Sequence, residues 1–265
     1  MRLNALSLEY FRNYLSARAE FHPGMNIICG DNAQGKTNLL EGISYLAGAR
    51  SHRAHYDREL IMFGIQHGFL TGELECRGRD FNVEITLNAG QRRVLKRNGV
   101  KLQSAAELGE TLNTVLFCPE DLYLIREGAA ARRKFLDTAI CQLRPRYAAA
   151  LGEYNRLYEH KTRILRDWQE NPSLLQTLDD FNLRMAQTGA ILIHYRAHFV
   201  KRLQENAPAI HRDFSGAKER LELGYTTVST VDDPLKTPRE LLPRLLEHQE
   251  RHRQAELDSR QCLSG

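Results

Sequence analysis

One segment restricts this chain more than any other: Gly30-Asp31-Asn32-Ala33-Gln34-Gly35-Lys36-Thr37. It fits the pattern G-x-x-x-x-G-K-[ST] at every fixed position, and that pattern carries a mechanism. The glycines permit backbone angles that turn successive N–H groups inward on phosphates. A lysine placed as Lys36 is reaches the β- and γ-phosphates, and a hydroxyl placed as that of Thr37 ligates Mg²⁺. The flanks agree. Residues 25–29 are a short apolar run, as in a buried strand, and residues 36–47 carry Leu39, Leu40, Ile43 and Leu46 as one helical stripe. A helix leaving the loop adds the positive end of its dipole. The chain is therefore expected to build an α/β unit around a nucleoside triphosphate, most simply ATP with Mg²⁺, with all of residues 30–37 in contact with it.

Around this unit the apolar period changes character. Residues 3–10 alternate, with Leu6, Leu8 and Tyr10 on one side, which predicts a strand. The clearest alternation is FNVEITLN at 81–88, where Phe81, Val83, Ile85 and Leu87 oppose Asn82, Glu84, Thr86 and Asn88. Asn98-Gly99 signals a hairpin turn, so 69–103 reads as an antiparallel meander. Residues 114–118 (TVLFC) predict another buried strand. From residue 129 the spacing is helical: Phe135, Leu136, Ile140 and Leu143, then Leu151, Leu157 and Leu165 within 146–170, then Leu178, Met185, Leu192 and Leu203 within 173–206. Asn171-Pro172 separates two long helices that are expected to pack as an antiparallel hairpin. A strand is expected near 220–228. Thr237 as N-cap, Pro238 at the first position and Glu240 closing a capping box open a last helix, running to about Ser259. A new strand is expected at 261–265. The implied organisation is an ATP-binding lobe over 1–128, a helical lobe over 129–218, and a segment over 219–265 leading back to the ATPase core.

Composition excludes several classes. Apolar residues are 42% and charged residues 26% of 265, ordinary for a globular protein. No apolar run has membrane-spanning length. Glu9 and Arg12 interrupt the most apolar part of the N-terminus, unlike a signal peptide. The five cysteines form no C-x-x-C pair and read as buried thiols of a reducing compartment, the cytoplasm. A net charge of +4 is too small by itself to imply nucleic acid. The basic residues are clustered, however: Arg50, His52, Arg53, His55 and Arg58; Arg92, Arg93, Lys96 and Arg97; Arg126, Arg132, Arg133 and Lys134. Each cluster alone fits a solvated surface as well as a phosphate-binding face. Together they favour the face, with Arg50, Arg53, Arg92 and Arg93 as candidate DNA contacts.

A P-loop enzyme also needs a carboxylate, usually at the end of an apolar strand. Residues 115–121 supply the apolar run, but Pro119 stands before Glu120 and Asp121. Asp179 and Asp180 follow a helix-period segment, and Asp232 and Asp233 lie in a turn before Pro234. None has the form of an acid-tipped strand.

Several stretches together identify a family. They are Leu6-x-Leu8-x-x-Phe11-Arg12-Asn13-Tyr14; the P-loop with Asn38-Leu39-Leu40-Glu41-Gly42-Ile43; Ser51-His52-Arg53; and Phe117-Cys118-Pro119-Glu120-Asp121-Leu122 followed by Arg132-Arg133-Lys134-Phe135-Leu136-Asp137. In order, spacing and helical insertion, the whole chain resembles the RecF family, bacterial recombination-mediator ATPases related to the SMC heads. The resemblance implies a P-loop ABC-type ATPase head with an antiparallel β meander and an inserted helical lobe. Two such heads sandwich two ATP molecules in an ATP-dependent homodimer. It implies a slow ATPase that binds DNA at single-strand/double-strand junctions and works with RecR and RecO to load RecA on gapped DNA, in repair, replication and the SOS response. By the same resemblance Arg12 and Asn13 lie beside the nucleotide, and Glu120, near the Mg²⁺ and γ-phosphate, is the candidate catalytic residue. Family members continue with a signature motif and a Walker B strand. The chain is thus expected to end before the C-terminal sheet strands and not to hydrolyse ATP alone. The alternatives are the nucleotide-binding domain of another ABC-type ATPase, or a non-hydrolysing ATP-binding fragment.

Overall fold

The computed structural model describes residues 1–263, apart from the side chains of Glu120 and Tyr123. The chain divides into two compact units: Met1–Arg132 with Cys141–Pro145, and Arg133–Ile140 with Arg146–Gly265.

The first unit is built on an antiparallel sheet of order β2-β1-β3-β4-β5-β6. Its strands are β1 (Arg2–Phe11), β2 (Tyr14–Glu20), β3 (His67–Cys76), β4 (Arg79–Asn88), β5 (Val94–Arg97) and β6 (Val100–Lys101). The meander expected over 69–103 is present. Its β5–β6 turn places Asn98 at φ 51° and Gly99 at φ 78°, the paired positive angles that a two-residue hairpin requires. The helix α1 (Lys36–Gly48) covers one face. Tyr45 and Leu46 pack there with Leu6 and Leu8 of β1, Leu70 and Leu74 of β3, and Val83, Ile85 and Leu87 of β4. Burying each such side chain contributes about 1.5–3 kcal/mol. Leu40, expected on the inward stripe, is exposed instead, and Glu41 is buried in the row that packs.

β1 holds a second departure. Simple alternation puts Tyr10 beside Leu6 and Leu8, but Tyr10 is left-handed (φ 50°) and Phe11 is the fully buried residue. One left-handed residue breaks the period of two, so Phe11 turns inward and the chain leaves the strand through Arg12, also left-handed at φ 54°.

Three expected strands do not form. Residues 25–29 and 114–118 belong to no strand, with Met25, Ile27, Val115 and Phe117 all exposed. Residues 220–228 keep alternating burial over 221–226 without a ladder. An apolar or alternating run supplies the propensity for a strand, but a strand exists only when a neighbour takes its N–H and C=O groups. No described strand lies beside these segments. Cys29, placed in the first of them, is exposed rather than buried. Residues 261–263 form a bend and coil, and residues 264–265, the rest of that expected strand, lie outside the described residues.

The remaining α-helices among the described residues are α2 (Ala129–Leu143), α3 (Pro145–Asp167), α4 (Leu178–Ser215) and α5 (Pro238–Ser259). In α2 only Leu136 and Ile140 of the expected stripe are buried, while Phe135 and Leu143 are exposed. Within the second unit α3 and α4 run antiparallel. Leu157 and Leu165 meet Leu178 and Met185, and Arg184 pairs with Glu153 at 2.7 Å. α4 continues past residue 206, through Pro208, to Ser215. A proline removes one N–H and bends a helix, but tertiary packing can carry the helix through it. The α5 start is as expected: the Glu240 carboxylate accepts the Thr237 N–H at 3.0 Å and its hydroxyl at 2.6 Å. Lys161 and Glu256 form an ion pair at 2.7 Å with side chains 0% and 2% exposed.

Candidate nucleotide-binding site

The site lies within the first unit, where the β1–β2 connection meets the start of α1. The loop before α1 carries positive φ at Gly30 (145°), Ala33 (63°) and Gly35 (102°). Positive angles of this kind are what a loop needs to turn its amides toward a phosphate. No side chain caps the N-terminus of α1 and its first turn holds no acid. The helix therefore presents uncompensated N–H groups and the positive end of its dipole beside the loop. Thr37 is exposed at this end.

Gly35 is fixed from behind. A Cβ there would stand 2.8 Å from Asn13 Oδ1 and 2.9 Å from the Tyr14 hydroxyl oxygen. The Tyr14 hydroxyl donates to the Gly35 carbonyl at 3.1 Å, and Asn38 Nδ2 donates to Asn13 Oδ1 at 2.8 Å. The segment that ends β1 thus sets the loop that begins α1. Lys36 Nζ donates to the carbonyls of Gly30 and Asp31, at 2.7 and 2.6 Å, which draws its ammonium across the loop mouth.

Arg12 takes a different place from its neighbour Asn13. Its guanidinium is bidentate to Glu41, at 2.9 and 2.8 Å, and donates to the Glu59 carbonyl at 2.8 Å. Glu41 is fully buried on α1 and also accepts the Ser51 hydroxyl, with Arg53 3.9 Å away. Burial pushes the Glu41 carboxyl up. The hydrogen bonds from Arg12 and Ser51 and the charges of Arg12 and Arg53 outweigh it and hold the group below the usual carboxylate range. Arg53 further donates to Asn38 Oδ1 at 3.1 Å. One buried acid therefore gathers three separate motifs: Arg12, the helix after the P-loop, and Ser51-His52-Arg53. No role was predicted for Glu41 from sequence. The available signal was its position four residues before Tyr45, on the inward row with Gly42 and Leu46.

The remaining candidates are dispersed. Arg50 and Arg92 are exposed. Arg93 is turned inward: it pairs with Asp57 at 2.9 Å and donates to the Tyr45 hydroxyl at 3.1 Å. Burial pushes the Tyr45 phenol upward, against the pull of the Arg93 charge. The backbone of Glu120 lies in a 3-10 turn, Pro119–Leu124, but its side chain is outside the described residues. The Asp121 carboxylate closes that turn by accepting the Cys118 N–H at 2.6 Å. Among the described residues no group of three or more His, Cys, Asp and Glu could hold a metal ion. Among the described residues no helix is long and apolar enough to cross a membrane.

A phosphate-binding loop set between an antiparallel sheet and an uncapped helix defines a P-loop nucleotide-binding protein, and residues 5–222 match the model of the AAA domain. Two relatives narrow the class. The DNA replication and repair protein RecF of Clostridium perfringens (strain SM101 / Type A) is 31% identical over 265 residues, 100% of this chain and 71% of that protein. That of Alkaliphilus oremlandii is 35% identical over 225 residues, 85% of this chain. The chain belongs to the RecF family. The solved recombination mediator protein RecF-ATPrS superposes with a TM-score of 0.92 at 28% identity, covering 100% of this chain and 71% of that one. RecF-ATP gives 0.90 at 28% identity, over 99% and 70%. The chain spans 61% of the length of the Alkaliphilus relative.

Proposed function

We propose that this chain binds ATP with Mg²⁺ at residues 30–37 and forms the ATP-binding part of a cytoplasmic DNA replication and repair protein. The observation that carries this reading is the clamped Gly35, which fixes the phosphate loop at the uncapped start of α1. The relatives' names supply the repair context and the solved RecF-ATP form supports the ligand. Backbone amides of the loop would hold the phosphates, Lys36 would turn from its carbonyl partners onto the β- and γ-phosphates, and Thr37 would ligate the metal. Bound Mg²⁺ supplies charge neutralisation on the phosphate oxygens. Asn13 orients the loop through Asn38, and Arg12, held by Glu41, would lie beside the nucleotide as the resemblance implies. Glu120 remains the candidate for the catalytic acid.

By family resemblance the DNA is a single-strand/double-strand junction, the partners are RecR, RecO and RecA, and ATP drives two heads together. Arg50, Arg53 and Arg92 supply phosphate contacts in this reading. Titration of a fluorescent ATP analogue against wild type and Lys36→Ala tests the nucleotide site. The variant is expected to bind at least tenfold more weakly, about 1.4 kcal/mol. Equal affinities would remove the site from residues 30–37.

A further inference from the structure

Resting on the DNA-binding reading above, we propose that the segment after α1 is a stacking platform for unpaired bases of single-stranded DNA, with Tyr56 as its main face and Arg58 and Arg50 as its phosphate contacts. The segment holds aromatic surface where a folded chain normally hides it. Tyr56 is 63% exposed and Phe63 is 103% exposed. The Arg58 guanidinium lies over the Tyr56 ring, 5.0 Å from its centroid, and the residue as a whole stays well exposed. Among the described residues no ion pair holds Arg50 or Arg58, so their positive charge is available.

Exposure alone would describe any loose loop, but this one is pinned along its length. The Ser51 hydroxyl, itself bound to Glu41, accepts the N–H groups of Arg53 and Ala54 at 2.9 and 2.8 Å. The Glu59 carboxylate accepts those of His55 and Tyr56 at 3.2 and 3.3 Å. Asp57 receives the Tyr45 hydroxyl at 2.7 Å and Arg93 at 2.9 Å. Beyond it Leu60 is fully buried, and the N–H groups of Arg12 and Met62 close on Leu60 and Tyr10 carbonyls at 2.7 and 2.8 Å. Tyr56 is therefore displayed on a fixed backbone, and its ordering entropy is spent in folding rather than in binding. An exposed ring with a stacked guanidinium that no ion pair holds is the combination that receives a base and its phosphate without reading sequence. The acids of the segment do not oppose this: Asp57 is neutralised by Arg93, and Glu59 is turned onto backbone amides. Duplex DNA, whose bases are already stacked, would meet only the arginines.

The test uses this chain with a fluorescein-labelled oligo-dT and a blunt duplex of the same length, by anisotropy over a range of salt. Tyr56→Ala is expected to weaken oligo-dT binding roughly fivefold or more, since stacking on one aromatic is worth on the order of 1 kcal/mol or above. Duplex affinity and the salt slope for oligo-dT should not change, and Tyr56→Phe should bind as wild type. Phe63→Ala should show whether the second aromatic adds a further base. Unchanged affinity for the fluorescent ATP analogue shows that the variants are folded. Wild-type affinity of Tyr56→Ala for oligo-dT overturns the platform while leaving DNA binding intact, as does equal weakening toward both DNAs. A wild-type chain that binds neither DNA overturns the DNA-binding reading and the platform with it.

Discussion

At the scale of single residues, Glu41 decides how the site is held. It is an acid with no access to water that still keeps its charge, because Arg12 meets it with two hydrogen bonds and Ser51 with a third. Its pKa is lower in the folded chain than in the unfolded one. Protons therefore bind the unfolded chain more readily as pH falls. The stabilisation is complete above the ordinary carboxylate range and is lost as pH drops through the lowered folded value. Glu41→Gln should lower stability at pH 7 by on the order of 3 kcal/mol, since it leaves Arg12 largely enclosed without a counter-charge. The gap from wild type should narrow toward pH 4. Urea midpoints at the two pH values measure it, and a gap of constant size would mean that the ion pair is not what Glu41 contributes. The P-loop was legible from spacing alone because its residues act through backbone angles and fixed offsets. Glu41 was not, because an acid on an amphipathic helix looks solvated until the surface it faces is known.

Within elements, neighbouring side chains divide their tasks by direction. Arg92 and Arg93 precede β5 and point apart, one to solvent and one to Asp57 and Tyr45. Arg92→Glu should reduce the slope of log K against log salt for DNA by about 1 and leave the melting curve in place. Arg93→Glu sets one acid against another and should lower stability by on the order of 3 kcal/mol. DNA anisotropy and thermal melts separate the two, and like behaviour of both variants would return Arg93 to ordinary surface. The same directional logic explains which elements the sequence disclosed. β3 and β4 carry their own evidence, since alternation over 81–88 matches the face that packs on α1. Residues 25–29 and 114–118 carry the same apolar signal, but their pairing partners are not written in them. Tyr10 and Phe11 show a third limit. Hydrophobicity marks both as core, and only the left-handed backbone at Tyr10 decides which one enters.

For the molecule as a whole, binding and turnover separate. Phosphoryl transfer needs charge offset on more than one side of the γ-phosphate and a positioned water. In the proposed site the loop, Lys36 and Thr37 would form one such side. With one side supplied and no acid placed for the water, this chain is expected to bind ATP without measurable hydrolysis or ATP-driven dimerisation. An ATPase assay paired with sedimentation checks it. Hydrolysis by the 265-residue chain that Lys36→Ala abolishes would assign the acid to Glu120 or Asp121. The clamp on Gly35 also fixes an order of events during synthesis. Asn13 and Gly35 look like a local contact, yet Asn13 leaves from β1, which lies between β2 and β3. A two-stranded ribbon of β1 and β2 is marginal on its own. Ser7 finds its other neighbour only when Thr71 has emerged, and β3 in turn pairs with β4 as far as Asn88. The growing chain thus carries its complete nucleotide motif for some time before it owns a nucleotide site.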